Sequence, residues 1–81
     1  MYLHIGNGKV LRKKDVIGIF DMDKTTMSKI TKNFLSGKDK AGMVESVCSD
    51  IPRSFVITSD GKVYISQISS QSIGSRAEQI L

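Results

Sequence analysis

Apolar and polar positions alternate at the start of the chain, Leu3 and Ile5 against Tyr2 and His4, before the turn residues Gly6, Asn7 and Gly8. This pattern predicts a short strand and a glycine turn that returns the chain through Val10. The next run, DVIGIF, is β-branched and aromatic, with Val16 and Phe20 on one face and Ile17 and Ile19 on the other. Both faces being apolar, the strand is expected to be covered twice, by a helix and a second layer or by another subunit.

From Thr25 or Thr26 the period changes. Met27, Ile30, Phe34 and Leu35 follow the i, i+3, i+7, i+8 spacing of an amphipathic helix. The threonines can cap it, Gly37 can end it, and Lys29 and Lys32 project from its outer side. SGKDKAG then reads as a flexible basic connector, MVESV as a short strand and CSDIP as a turn held by Pro52. RSFVIT and KVYISQI flank SDG, which predicts a hairpin with Gly61 at positive φ. Serines then cap a final helix carrying Ile73, Ala77, Ile80 and Leu81. The expected class is α+β, a small and mostly antiparallel sheet with a central amphipathic helix and a short C-terminal helix, in one domain spanning residues 1–81.

A chain of 81 residues removes only about 60% of its unfolded surface from water, so self-association would help it fold. The start of the chain lacks the pattern of a signal peptide, and no apolar run approaches a membrane span. A cytoplasmic location without membrane contact is expected. The single cysteine, Cys48, excludes an internal disulfide and a cysteine-rich zinc site, and suits a buried or half-buried bystander.

Charge changes the picture more. Of the net +4, the segment from Lys9 to Lys40 carries +5, nine basic residues against four acids, and the remainder carries −1. Such a segment suits a polyanion, because each phosphate that a cation neutralises releases condensed counterions. Solvated lysine-rich turns and helix faces produce the same composition, so charge alone leaves both readings open.

Asp21, Asp23 and Thr25 form a D-x-D-x-T string that resembles the first motif of the haloacid-dehalogenase-like phosphatases. That chemistry also needs a later Ser or Thr, a Lys and further clustered acids for magnesium. The acids after Asp23 are isolated, and too few residues follow for several βαβ units of about 30 residues each. Acids between a strand end and a helix start are sufficiently explained by the helix dipole. GNGK lacks the glycines of a phosphate loop, and His4 is the sole histidine. No catalytic residue, metal site or cofactor is expected.

MYLHIGNG at the start, DVIGIFD before a helix, and PRSFVITSDGKVYIS together resemble the RemA and RemB extracellular-matrix regulators of spore-forming bacteria, more the RemB branch, over nearly the whole chain. The resemblance implies protomers assembled head to tail in a ring-like homo-oligomer, with double-stranded DNA around a basic exterior and biofilm matrix genes as targets. The RemA-branch arginines that contact DNA correspond here to Asp15, Asp50 and Ile51, whereas Arg53 matches an arginine of the pattern. The expected DNA-binding residues are therefore Arg12, Lys13, Lys14 and Arg53, with Lys9, Lys29 and Lys32. They would grip phosphates while DNA shape supplies selectivity. The alternative is an oligomeric module that meets a protein partner with little or no DNA binding.

Overall fold

Three successive residues at positive φ, Gly6 at 124°, Asn7 at 46° and Gly8 at 74°, turn the chain between β1 (Tyr2–Gly6) and β2 (Lys9–Arg12). Glycine and asparagine are the residue types that adopt this conformation at least cost. The alternation read from the sequence holds in β1: Leu3 and Ile5 are fully buried, whereas Tyr2 and His4 are exposed. The structure, a computed structural model, describes residues 2–22, 29–48 and 51–79, with backbone alone for 76–79. The helix-capping threonines, Met27, Asp23, Asp50, Ile80 and Leu81 of the sequence reading lie outside the described residues, as does the Ala77 side chain.

A short 3-10 turn, Lys13–Asp15, leads into β3 (Val16–Asp21), followed by α1 (Lys29–Lys40), β4 (Val44–Ser46), β5 (Ser54–Thr58), β6 (Val63–Ser66) and α2 (Ser70–Gln79). The four later strands form one sheet in the order β3-β5-β6-β4, antiparallel except for the parallel pair of β4 with β6. The class is thus α+β, as the patterning predicts. Gly61, at φ 87°, lies in the β5–β6 turn.

One face of the sheet carries Ile19, Val56 and Tyr64 in a continuous row, and these pack with Leu3, Ile5, Leu11, Val47 and Ile73 into the core. The β1–β2 ribbon and α2 therefore cover this face. Two buried serines fasten them to it. Ser66 Oγ donates to the Ile5 carbonyl at 2.5 Å and accepts from the Ile68 N–H at 3.0 Å, while Ser54 Oγ donates to the Ile68 carbonyl at 2.6 Å. Ser69 Oγ then accepts from the Ser72 N–H at 3.2 Å, the expected serine cap of α2.

Two expectations need correction. The pairing of β3 with β5 slips between Val16 and Gly18, so Ile17 is an extra residue. This bulge brings Val16 and Ile19 to the same core and leaves Ile17 68% exposed, in place of the strict alternation expected. Within the chain β3 is an edge strand: Ile19 faces the core, and Phe20 on the other face stacks on the buried Phe55 while staying 44% exposed. Nor does Gly37 end the central helix. It sits inside α1, and most of the supposed SGKDKAG connector forms the last turns. The stop is Gly42 at φ 72°, where Gly42 N–H donates to the Asp39 carbonyl and Met43 N–H to the Lys38 carbonyl, at 3.0 and 2.9 Å. That pair of bonds is the Schellman closure, which satisfies the final carbonyls only when the following residue is left-handed.

The apolar stripe of α1 is not buried in its own chain. Ile30 is 82% exposed and Phe34 40%, and the helix meets the sheet mainly at β4.

Candidate nucleic-acid interface

Backbone hydrogen bonds draw three separate parts of the chain to the β5–β6 turn end of the sheet. Ser59 N–H donates to the Asp15 carbonyl at 2.8 Å, Val63 N–H to the Met43 carbonyl at 2.8 Å, and Met43 N–H to the Lys38 carbonyl at 2.9 Å. The 3-10 turn, the hairpin turn and the C-terminus of α1 therefore share one end. They bring together six basic residues, Arg12, Lys13, Lys14, Lys38, Lys40 and Lys62, with three acids, Asp15, Asp39 and Asp60.

These cations differ in availability. Lys14, Lys40 and Lys62 are exposed. Arg12 is exposed too, but its Nε lies 3.2 Å from Asp15 Oδ2. The Lys38 ammonium sits 5.7 Å from the centre of the Phe34 ring, and Lys13 Nζ is buried without a hydrogen-bond partner among the described residues. Arg12, Asp15 and Asp60 supply the charge of a cleft of about 310 Å³ that also includes Thr58, Ser59 and Tyr64.

Asp60 belongs to the turn itself. Its Oδ1 accepts from Thr58 Oγ1 at 2.5 Å and from the Lys62 N–H at 3.1 Å. The hydroxyl first, then the backbone N–H, holds this carboxyl below its ordinary value by stabilising the ionised form.

The other expected contact residues lie elsewhere. Lys9 pairs with Glu45 at 3.3 Å and lies over the Tyr64 ring, so it joins the ribbon to the sheet. Arg53 is exposed at the opposite end of β5, about 15 Å away at strand rise, where its backbone bonds Met22 and Ser66. Lys29 and Lys32 are exposed roughly 9 to 14 Å along α1 from Lys38. One protomer thus gathers Arg12, Lys13 and Lys14 but not Lys9, Arg53, Lys29 or Lys32. The expected contact residues did not include Lys62, nor Lys38 and Lys40, although the basic segment from Lys9 to Lys40 contains the latter two. SDGK beside a predicted hairpin was the signal for Lys62, whereas no local signal places Lys38 and Lys40 beside it.

Comparison with known proteins gives the fold its family. The RemA-like family, described as extracellular matrix regulatory protein A-like, matches residues 2–77. The chain belongs to this family. This RemA-like chain is also 40% identical to extracellular matrix regulatory protein B of Bacillus subtilis (strain 168) over 78 residues, 96% of its own length and 91% of the relative's. The family is described by a regulatory role and not by a reaction. Asp21, the first acid of the phosphatase-like string, is exposed at the end of β3, paired in register with Ser54. No described helix of this RemA-like chain is long and apolar enough to cross a membrane.

Proposed function

We propose that the chain is a non-enzymatic, cytoplasmic regulator of bacterial extracellular-matrix genes that acts as a ring-like homo-oligomer and binds duplex DNA by its phosphates. The observation carrying this reading is the convergence of six cations on the hairpin end of the sheet, three of them exposed there without a described ion pair. Membership of a family described as matrix-regulatory supports it. Repeated around an oligomer, Lys14, Lys40 and Lys62 would form a phosphate track, with Arg53 or the α1 lysines joining it where copies adjoin. With these cations engaged on phosphates, which carry no sequence information, DNA shape and deformability would carry selectivity.

The apolar residues left open support self-association. Ile17 and Phe20 lie on β3 at one edge of the sheet, and Ile30 and Phe34 lie on α1 beside β4 at the other. Patches on opposite edges suit a heterologous contact, the kind that closes into a ring.

The test is duplex affinity across a salt series, for the native chain and for Lys14→Glu with Lys62→Glu. Binding should weaken steeply with salt, and the double variant should lose it. Affinity indifferent to both would remove the reading. A second reading, an oligomeric module for a protein partner, is favoured by Arg12 being already held by Asp15. An oligomer by light scattering that leaves DNA mobility unchanged would support that alternative.

A further inference from the structure

Asp15 stands amid the cations of the hairpin end, next in sequence to Lys14, and its carboxylate accepts the Arg12 Nε–H at 3.2 Å. We propose that Asp15 is an affinity-setting residue that lowers the polyanion affinity of this end by occupying Arg12, so that Arg12 is a latent phosphate ligand. The inference rests on reading this end as the polyanion contact.

The geometry separates Asp15 from the other two acids. Asp60 is committed to the turn through Thr58 and Lys62, and Asp39 has no described ion pair. Among the described residues Asp15 is the one of these acids in an ion pair, and its structural duty is performed by its backbone carbonyl, which accepts from Ser59 at 2.8 Å. The side chain is therefore separable from the fold. Arg12 and Asp15 have side chains 58% and 37% exposed, so water and salt weaken their attraction and a phosphate can compete for the guanidinium. A phosphate also offers arginine a bidentate partner, a stronger geometry than one bond through Nε. Asp15 consequently acts as a latch that withholds Arg12 from a bound polyanion, and each copy in an oligomer forgoes the same contact on one shared strand.

The experiment is a double-variant cycle on the full chain, using Asp15→Asn, Arg12→Ala and the combination. Two probes are used, immobilised heparin and a random-sequence DNA duplex, each over a salt series. Asp15→Asn should tighten binding about two- to fivefold per site, the range of an exposed ion pair, and steepen the logarithmic salt dependence by about one unit as Arg12 gains a phosphate. With Arg12→Ala present, the gain should shrink to that of removing one bulk charge. Equal gains in both backgrounds, or no gain from Asp15→Asn, would overturn the latch. Asp15→Ser serves as a second variant should the amide perturb folding, which circular dichroism reports. An Arg12-dependent gain on heparin with no duplex binding by any variant would uphold the latch and remove the DNA reading. Duplex binding that needs Lys14 and Lys62 yet ignores Asp15 would do the reverse.

Discussion

The Lys9 ammonium lies 3.3 Å from the Glu45 carboxylate, joining the β1–β2 ribbon to the far edge strand of the sheet, and the same ammonium sits 5.1 Å from the centre of the Tyr64 ring. A lysine from the basic segment therefore serves the protomer's own architecture. Both side chains of the ion pair are partly open to water, so its electrostatic share is small and the ring contact adds a comparable amount. Lys9→Ala should cost about 1 kcal/mol in all, lowering the melting temperature by roughly 4–8 °C for a domain of this size. Thermal unfolding followed by circular dichroism checks this. A normal melting temperature with weakened heparin binding would move Lys9 back to the contact surface.

Ser66 is the more demanding fastening. It is fully buried and bonds Ile5 and Ile68 at once, so alanine leaves a buried carbonyl and a partly buried N–H without their partner. Ser66→Ala should destabilise by about 2–3 kcal/mol, read from the urea midpoint at unchanged slope. Ser54→Ala, which removes a single such bond, should cost about half as much.

Gly18 leaves room for an aromatic ring. A β-carbon there would lie 2.6 and 2.7 Å from ring atoms of Phe20, whose ring stacks on Phe55 with centroids 5.1 Å apart. Gly18→Ala must push Phe20 aside, with an expected loss of about 1–2 kcal/mol. If steric displacement is the cause, the loss should largely vanish in a Phe20→Ala background. Equal losses in both backgrounds would place the cost in the backbone instead.

The depressed Asp60 carboxyl gives the hairpin turn a definite acid response. Its folded pKa lies below the unfolded value of about 3.9, so its contribution is fully present above that value and fades as pH falls through it toward the folded pKa. Asp60→Asn should therefore be less stable than the native chain at pH 7, with the difference narrowing by pH 3. A gap that widened on acidification would contradict the assigned cause.

Ile30 and Ile17, at 82% and 68% exposure, contribute little to the protomer's core. Replacing either with aspartate should change secondary structure little while lowering the mass seen by light scattering, if these edges carry the proposed assembly. Retention of the native mass by both variants would place the contact elsewhere.

Local rules made much of the fold legible. Alternation around Leu3 and Ile5, the glycine turn, the SDG hairpin and the Ser69 cap each depend on residues close in sequence, which interact before any tertiary contact forms. Where neighbours compete, the same rules misjudged the outcome. Gly37 carries the residue type of a helix stop, but helical bonds continue past it to Gly42, where the left-handed turn and two closing bonds come together. The strict two-residue period of VIGIF failed because one bulge at Ile17 changes the face of everything before it.

The site divides along the same line. By itself the sequence determined a small α+β domain, its family resemblance and an excess of cations between residues 9 and 40. Only the tertiary structure decided that Lys9 is tied to Glu45, that Arg12 is held by Asp15, and that Lys62 joins Lys14, Lys38 and Lys40 at one end. The reason is physical: composition fixes how many charges a segment carries, but phosphate attraction depends on their spacing and their partners. Both are set by strands that meet across dozens of residues.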